Sequence, residues 1–276
     1  MRLSHALRIV LLLITALSLG ACASFGGEKN PLETLPVSAM YQKGNTAMLD
    51  GDYAQAERVF QRLVARFPFG PYSEQAQLDL VYSQFKADKP DDAYSGINRF
   101  IKTYPAHKHI DYAYYLRGLI NFNRSAALGD RLLPHRDRSR RDQSFALQSF
   151  SDFSQMLQRY PDSRYAADAA KRMIYLRNQL AQHELNVAMY YLRRQAYVGA
   201  ADRAQYIIEH YQTSPQTGDA LAVMAKAYEK LGRDKLAGDA IKVLKANYPD
   251  HPFLHDDDWP DFPGTWRRAI PFASHD

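Results

Sequence analysis

The 276-residue chain carries a formal charge of +5 at pH 7, 46% hydrophobic residues and one cysteine. A single cysteine excludes an intramolecular disulfide and a thiolate-rich metal site. So slight a basic excess, with no compact run of Lys and Arg interleaved with aromatics outside one loop, argues against a nucleic-acid ligand.

Residues 1–21 read as an export signal that is removed. Arg2 and Arg8 form a short basic region, Ile9 to Leu19 is an apolar run, and the small residues Gly20 and Ala21 follow. At a rise of ~1.5 Å per residue that run reaches about 16 Å, well short of a ~30 Å bilayer core, so it is not a membrane span. Leu19-Gly20-Ala21-Cys22 resembles a bacterial lipoprotein box, which implies that Cys22 is lipidated and becomes the N-terminus. An ordinary signal peptide with an incidental cysteine is the alternative. Several acyl chains, each adding ~0.8 kcal/mol per buried CH₂, would hold the protein to a bilayer. Ala23 in place of aspartate implies, by the same resemblance, sorting to the outer membrane, so the expected location is its periplasmic face, lipid-anchored. Residues 22–36, with Gly and Pro and no apolar period, read as a flexible tether.

Residues 37–250 are repetitive. In Tyr41 to Pro68, Ala56, Phe60 and Leu63 share one helical face, Gly51-Asp52-Tyr53 makes a turn, and Gly44 offers a bare backbone where two helices press together. An aromatic residue followed by proline closes this segment at Phe67-Pro68 and recurs at Tyr104-Pro105, Tyr160-Pro161 and Tyr248-Pro249, with Tyr211-Gln212 as a degenerate copy. The small, small, aromatic and proline positions at Gly44, Ala56, Phe60 and Pro68 resemble a tetratricopeptide repeat. The intervals Phe67 to Tyr104 and Tyr211 to Tyr248 lie near its ~34-residue period, and the other two demand insertions. Repeats are expected at about 37–68, 73–105, 111–161, 163–212 and 218–249. The expected fold is all-α, a right-handed superhelical solenoid of about five helical hairpins.

The third repeat contains an insertion at 123–142 with Arg124, Arg131, Arg136, Arg138, Arg140 and Arg141, read as a long loop. It either contacts an acidic partner or phosphate head group, or is simply solvated. From Ser163 to Val198 there is neither Gly nor Pro, and apolar residues recur along two adjacent rows, which predicts one long helix. Residues 251–276, rich in proline with an acidic triplet at Asp256 to Asp258, read as a disordered tail.

Catalytic motifs are lacking. His183-Glu184 begins like a zinc-protease helix, but Val187 stands where the second histidine would be. His107 and His109 have no third ligand placed by spacing, and no phosphate cradle or nucleophile elbow is present. The expectation is a protein that is not an enzyme and needs no cofactor or metal. By repeat register Asn45, Met48, Tyr82, Phe85, Tyr115, Leu119 and Phe122 face either a concave aromatic groove suited to an extended apolar peptide or the packing between repeats.

The strings RFPFGPYSEQAQLDLVYSQFK from Arg66, SFSDFSQMLQRYPDSRYAADAAKRM from Ser149 and YVGAADR from Tyr197, behind a lipoprotein box, resemble the outer-membrane assembly lipoprotein family BamD, also called ComL or YfiO. The resemblance covers about Met40 to Pro249. It implies a non-enzymatic subunit of the machinery that folds β-barrel proteins into the outer membrane. Its C-terminal repeats would bind a periplasmic domain of BamA, with Arg203 meeting an acid there. Its N-terminal repeats would receive the C-terminal aromatic signal of unfolded barrel substrates, and in some bacteria a further lipoprotein, BamC, drapes over the family member, a partner that the sequence does not itself indicate. Two rivals remain: a generic periplasmic repeat adaptor, for example in cell-wall synthesis, and a lipoprotein hydrolase on a repeat scaffold.

Overall fold

The computed structural model describes residues 31–130, 142–256 and 259–260, with the side chains of 31 and 126–130 left aside. The expected signal at 1–21, Cys22, the tether before Pro31, most of the basic insertion and the tail from 261 lie outside the described residues. Among those described there are ten α-helices, two short 3-10 turns and no strand. They fall into two compact units, one ending at Lys89 and one beginning at Pro90.

The first unit opens with a 3-10 turn at Pro31–Glu33, followed by α1 (Val37–Leu49), α2 (Tyr53–Arg66) and α3 (Pro71–Lys86). Gly51 at φ +79° breaks the chain between α1 and α2, and the Asp52 carboxylate accepts the Gln55 backbone N–H to cap α2. Met40, Gly44 and Ala47 of α1 are buried against Ala56, Val59, Phe60 and Leu63 of α2, with Ala76 of α3 closing the cluster. A Cβ added to Gly44 would lie 2.6 Å from the Phe60 ring, so glycine is needed for the helices to meet there.

The second unit contains α4 (Pro90–Thr103), α5 (Ile110–Asp130), α6 (Ser144–Arg159), α7 (Ala166–Arg193), α8 (Tyr197–His210), α9 (Thr217–Lys230) and α10 (Asp234–Asn247). Within this unit each helix packs on its chain neighbours, and α7 also touches α9, the stacking expected of helical repeats. The contact between α5 and α6 repeats that of α1 and α2. A Cβ on Gly118 would lie 2.6 Å from the Phe153 ring, and Ser149, buried in the small-residue position, donates its hydroxyl to the Gly118 carbonyl at 2.9 Å.

The aromatic-proline pairs act as turns. Tyr104, Tyr160, Tyr211 and Tyr248 each donate a backbone N–H to the carbonyl four residues earlier. Each then accepts at its own carbonyl from the residue three later, His107, Ser163, Ser214 and His251 respectively. Tyr211 keeps this geometry although Gln212 replaces proline, because both hydrogen bonds use backbone groups that any residue supplies.

The structure corrects three expectations. The helix predicted over Ser163–Val198 ends at Arg193. Gln195 takes a φ of +60°, and Ala196 donates its N–H to Tyr191 O at 2.9 Å before α8 begins. A non-glycine residue performs the left-handed turn, which leaves no signal in composition. The predicted loop from Asn123 is helical as far as Asp130, and Arg124 is not a solvated loop arginine. It pairs with Asp91 of α4 and lies 4.3 Å from the centre of the Phe145 ring of α6. The tail predicted to be disordered folds back at its start. Pro252–Leu254 form a 3-10 turn, and Trp259, only 8% exposed, packs edge-on against His251 and Phe253. The His251 Nε2 to Asp219 Oδ1 contact of 3.1 Å ties this segment to α9.

Gly→Ala at the helix contacts trades a gain in helix propensity of up to ~1 kcal/mol against overpacking worth about 1 to 3 kcal/mol. Gly44→Ala and Gly118→Ala are expected to lower stability, whereas Gly238→Ala in α10, where nothing lies within 4 Å of the added methyl, should raise it. Thermal melts of the three variants check the sign at each position.

Candidate interaction surfaces

Helix α8 buries Ala200, Ala204 and Ile207 completely. The helical period then turns Arg203, Tyr206 and His210 along one outward row. Arg203 is about half exposed, and its Nη1 donates to Glu184 Oε2 of α7 at 2.9 Å; the Glu184 side chain is only 14% exposed. Glu184, the residue that looked like part of a zinc motif, therefore orients a guanidinium. Among the described residues the Nε and Nη2 edge of Arg203 has no acceptor, so one side of a planar two-donor fork faces outward. Tyr206 stacks on the His210 ring with centroids 4.0 Å apart and meets Tyr211 edge-on at 5.8 Å. Burial pushes the Tyr211 phenol well above its ordinary pKa. Tyr206, Val198 and Tyr190 expose large apolar area around this row. Arginine and tyrosine together are the side chains that most often carry protein–protein binding energy.

The residues expected to line a groove divide between the two units. In the first, Asn45 and Met48 of α1 and Tyr82 and Phe85 of α3 are half-buried. Met48 packs on the core cluster, and Tyr82 meets Tyr53 edge-on at 6.1 Å. The most exposed apolar side chain of this unit is Phe69, 89% exposed in the turn between α2 and α3, with Tyr72 behind it. Neither was singled out as a site residue. The signal was present in the string FPFGPYS, where two aromatics flank a Gly-Pro step that cannot be buried inside a helix.

In the second unit Tyr115 is a packing residue. It is 9% exposed, stacks on Tyr165 at 4.8 Å and donates its hydroxyl to Asp168 Oδ2 at 2.6 Å; burial pushes its phenol up to about 12. Leu119 and Phe122 follow it on the same side of α5 and are half-buried. Phe122 lies 5.7 Å from Tyr175 and under the Arg172 guanidinium of α7 at 4.8 Å. For Tyr115 the face is filled by α7 and the turn before it.

A polar cluster joins α5 to α6. Arg117 pairs with Asp152 at 2.9 Å, and Asn121 donates to the other Asp152 oxygen at 2.8 Å. Burial pushes the Asp152 carboxyl up, against the pull of Arg117. The Arg117 Nε is buried without an aligned hydrogen bond in spite of its approach to Asp152, while Nη1 and Nη2 donate to Asn98 and Gln155, so the cluster fixes α5 against its neighbouring helices.

Arg203→Glu would place two carboxylates at the Glu184 contact and should cost about 0.5 to 1 kcal/mol, the scale of a partly exposed ion pair. The exchange Glu184→Arg with Arg203→Glu should recover most of that loss. Thermal melts of the single and double variants measure the coupling directly.

A family described as "YfiO: Outer membrane lipoprotein" matches residues 33–252. Three relatives, each called "Outer membrane protein assembly factor BamD", illustrate the spread. One from Xylella fastidiosa (strain Temecula1) is 49% identical, covering 89% of this chain and 84% of its own. One from Neisseria meningitidis serogroup A is 37% identical over 94% of this chain and 98% of its own. One from Pasteurella multocida is 35% identical over 85% and 88% respectively. The match spans every helix from α1 to α10, and with these identities the chain belongs to the YfiO family of outer membrane lipoproteins.

Proposed function

We infer that this chain is a non-enzymatic factor in the assembly of β-barrel proteins into the outer membrane, held at the periplasmic face by lipid on Cys22. The observation that carries this reading is its 49% identity to an outer membrane protein assembly factor over nearly all of the helical body. A generic adaptor for cell-wall synthesis is not favoured by those relatives. The architecture supports a binding role, because stacked helical hairpins present long continuous faces without needing a catalytic constellation.

Within that role, Arg203 is the contact for an acidic side chain on the periplasmic domain of BamA nearest the barrel. Its free guanidinium edge can take both oxygens of a carboxylate, while Glu184 keeps the side chain extended and lowers the entropy lost on docking. Tyr206 and His210 would extend the same contact. Unfolded barrel substrates would engage the first unit, where Asn45, Met48, Tyr82 and Phe85 are only half-buried and Phe69 stands free. Other lipoproteins of the assembly are further partners.

Mild cross-linking in the native envelope followed by purification should recover BamA with the wild-type chain; its absence, with cell-wall enzymes in its place, would reverse the assignment. The double variant Glu184→Arg with Arg203→Glu keeps the internal ion pair and should still lose on the order of tenfold or more in affinity for the periplasmic domains of BamA, because an acid now meets an acid. Equal affinity would remove Arg203 from the interface. For the substrate surface, Tyr82→Ala combined with Phe85→Ala should weaken a peptide ending in an aromatic residue without changing BamA affinity, once circular dichroism has shown that the helices are retained.

A further inference from the structure

The first unit holds a cleft of about 610 Å³ beside its 3-10 turn, lined by Leu32, Lys43, Gln55, Arg58, Arg62 and Ala65. No acid lines it. Glu33 lies 3.8 Å from Arg62, with both side chains about half exposed, and offsets that one charge, which leaves Lys43 and Arg58 to supply the net positive charge of the cleft. Arg58 is held by a neutral acceptor: its Nη2 donates to Gln55 Oε1 at 2.7 Å and its Nε to the same oxygen at 3.2 Å. That contact fixes the guanidinium without cancelling its charge. Among the described residues no acidic side chain pairs with Lys43 or Arg58.

The cleft has a built wall. Arg66, at the last turn of α2, donates from Nη1 to the carbonyls of Leu32 at 3.1 Å and Leu35 at 2.8 Å, so the segment preceding α1 is fastened to the end of α2. Leu32, next to the first described residue, lines the cleft, so the described chain begins beside it. From Cys22 to Pro31 is roughly nine residues, which at ~3.3 to 3.6 Å each reach at most about 30 Å. A lipid at Cys22 would hold three clustered cations within that distance of the membrane surface, where even weak attraction is strengthened by a high local concentration of head groups.

We propose that this cleft docks the phosphate-bearing head groups of anionic phospholipids in the membrane to which the N-terminus is fastened, and so sets how the first unit lies against that surface. The proposal rests on the reading of this chain as an outer membrane lipoprotein, but the cleft itself is independent of lipidation. Two net positive charges near an anionic surface together contribute on the order of thirtyfold in partition.

The test uses the mature chain carrying Cys22→Ser, so that failure of anchorage at Cys22 cannot influence the result. Sedimentation with vesicles of phosphatidylcholine and phosphatidylglycerol should exceed sedimentation with phosphatidylcholine alone, and should fall as salt is raised. Lys43→Glu with Arg58→Glu and Arg62→Glu should abolish the difference. Lys235→Glu with Lys242→Glu and Lys245→Glu, an equal change of charge on α10, should leave most of it. If the first triple variant unfolds, the corresponding glutamines, which remove charge without adding acids, replace it. No preference for anionic vesicles, unchanged binding by the cleft variant, or equal loss in the α10 variant would each overturn the proposal. So would loss of binding to polyglutamate alone, which would give the cleft to acidic polypeptides.

Discussion

The packing depends on a backbone being bare where an aromatic ring presses against it. Phe60 against Gly44 and Phe153 against Gly118 are the same contact made twice, each with the ring closer to the backbone than any side chain would permit. Glycine inside a helix costs up to ~1 kcal/mol in propensity, yet here it lets a whole phenyl ring leave water. The rest of each hairpin follows from that approach. Once the helices are that near, the facing positions must be small, and Ala47, Ala56, Ala146 and Ser149 are all buried. The larger residues Leu63 and Met156 then fill the space a turn further on.

This is why so much of the fold could be read from the sequence. A small residue, an aromatic and a closing aromatic-proline pair recur in one register, and that pattern has a single physical meaning when it repeats with a helical period. The all-α hairpin architecture followed from it. What escaped were features decided by tertiary contact or by permissive backbone chemistry. Gln195 adopts a conformation that glycine or asparagine would have advertised, so the end of α7 was invisible. Arg124 looked like one basic residue among several in an insertion, whereas its place above Phe145 and beside Asp91 depends on α4 and α6 together. Trp259 joins the core of the second unit from a segment whose prolines and aspartates suggested no structure.

The candidate surfaces were legible to different degrees for the same reason. The resemblance pointed to Arg203, and the structure leaves it half exposed at the flank of the buried Ala200 and Ala204. Its pairing with Glu184 was not accessible, because α7 and α8 meet only after a turn that the sequence hid. Tyr115 shows the opposite limit. Periodicity identifies a face but does not say whether another helix covers it, and Tyr165 with Asp168 covers this one. Conversely, the place of Phe69 in a turn was readable in principle, since Pro68 before it ends one helix and the Gly70-Pro71 step after it begins the next.

The insertion between α5 and α6 has a kinetic side. Gly118 and Phe153 are roughly twice as far apart along the chain as Gly44 and Phe60, yet they make the same contact. Each doubling of a closing loop costs only about 0.6 kcal/mol in chain entropy, so the third hairpin gives up little equilibrium stability by carrying the extra segment. Rates respond to the same difference, because a longer search precedes the first rewarding contact. The α1–α2 pair can close early and locally, and the α5–α6 pair closes later. Until it does, Phe153 and Met156 stand uncovered, and it is during that interval that the folding chain is most exposed to aggregation or to proteases.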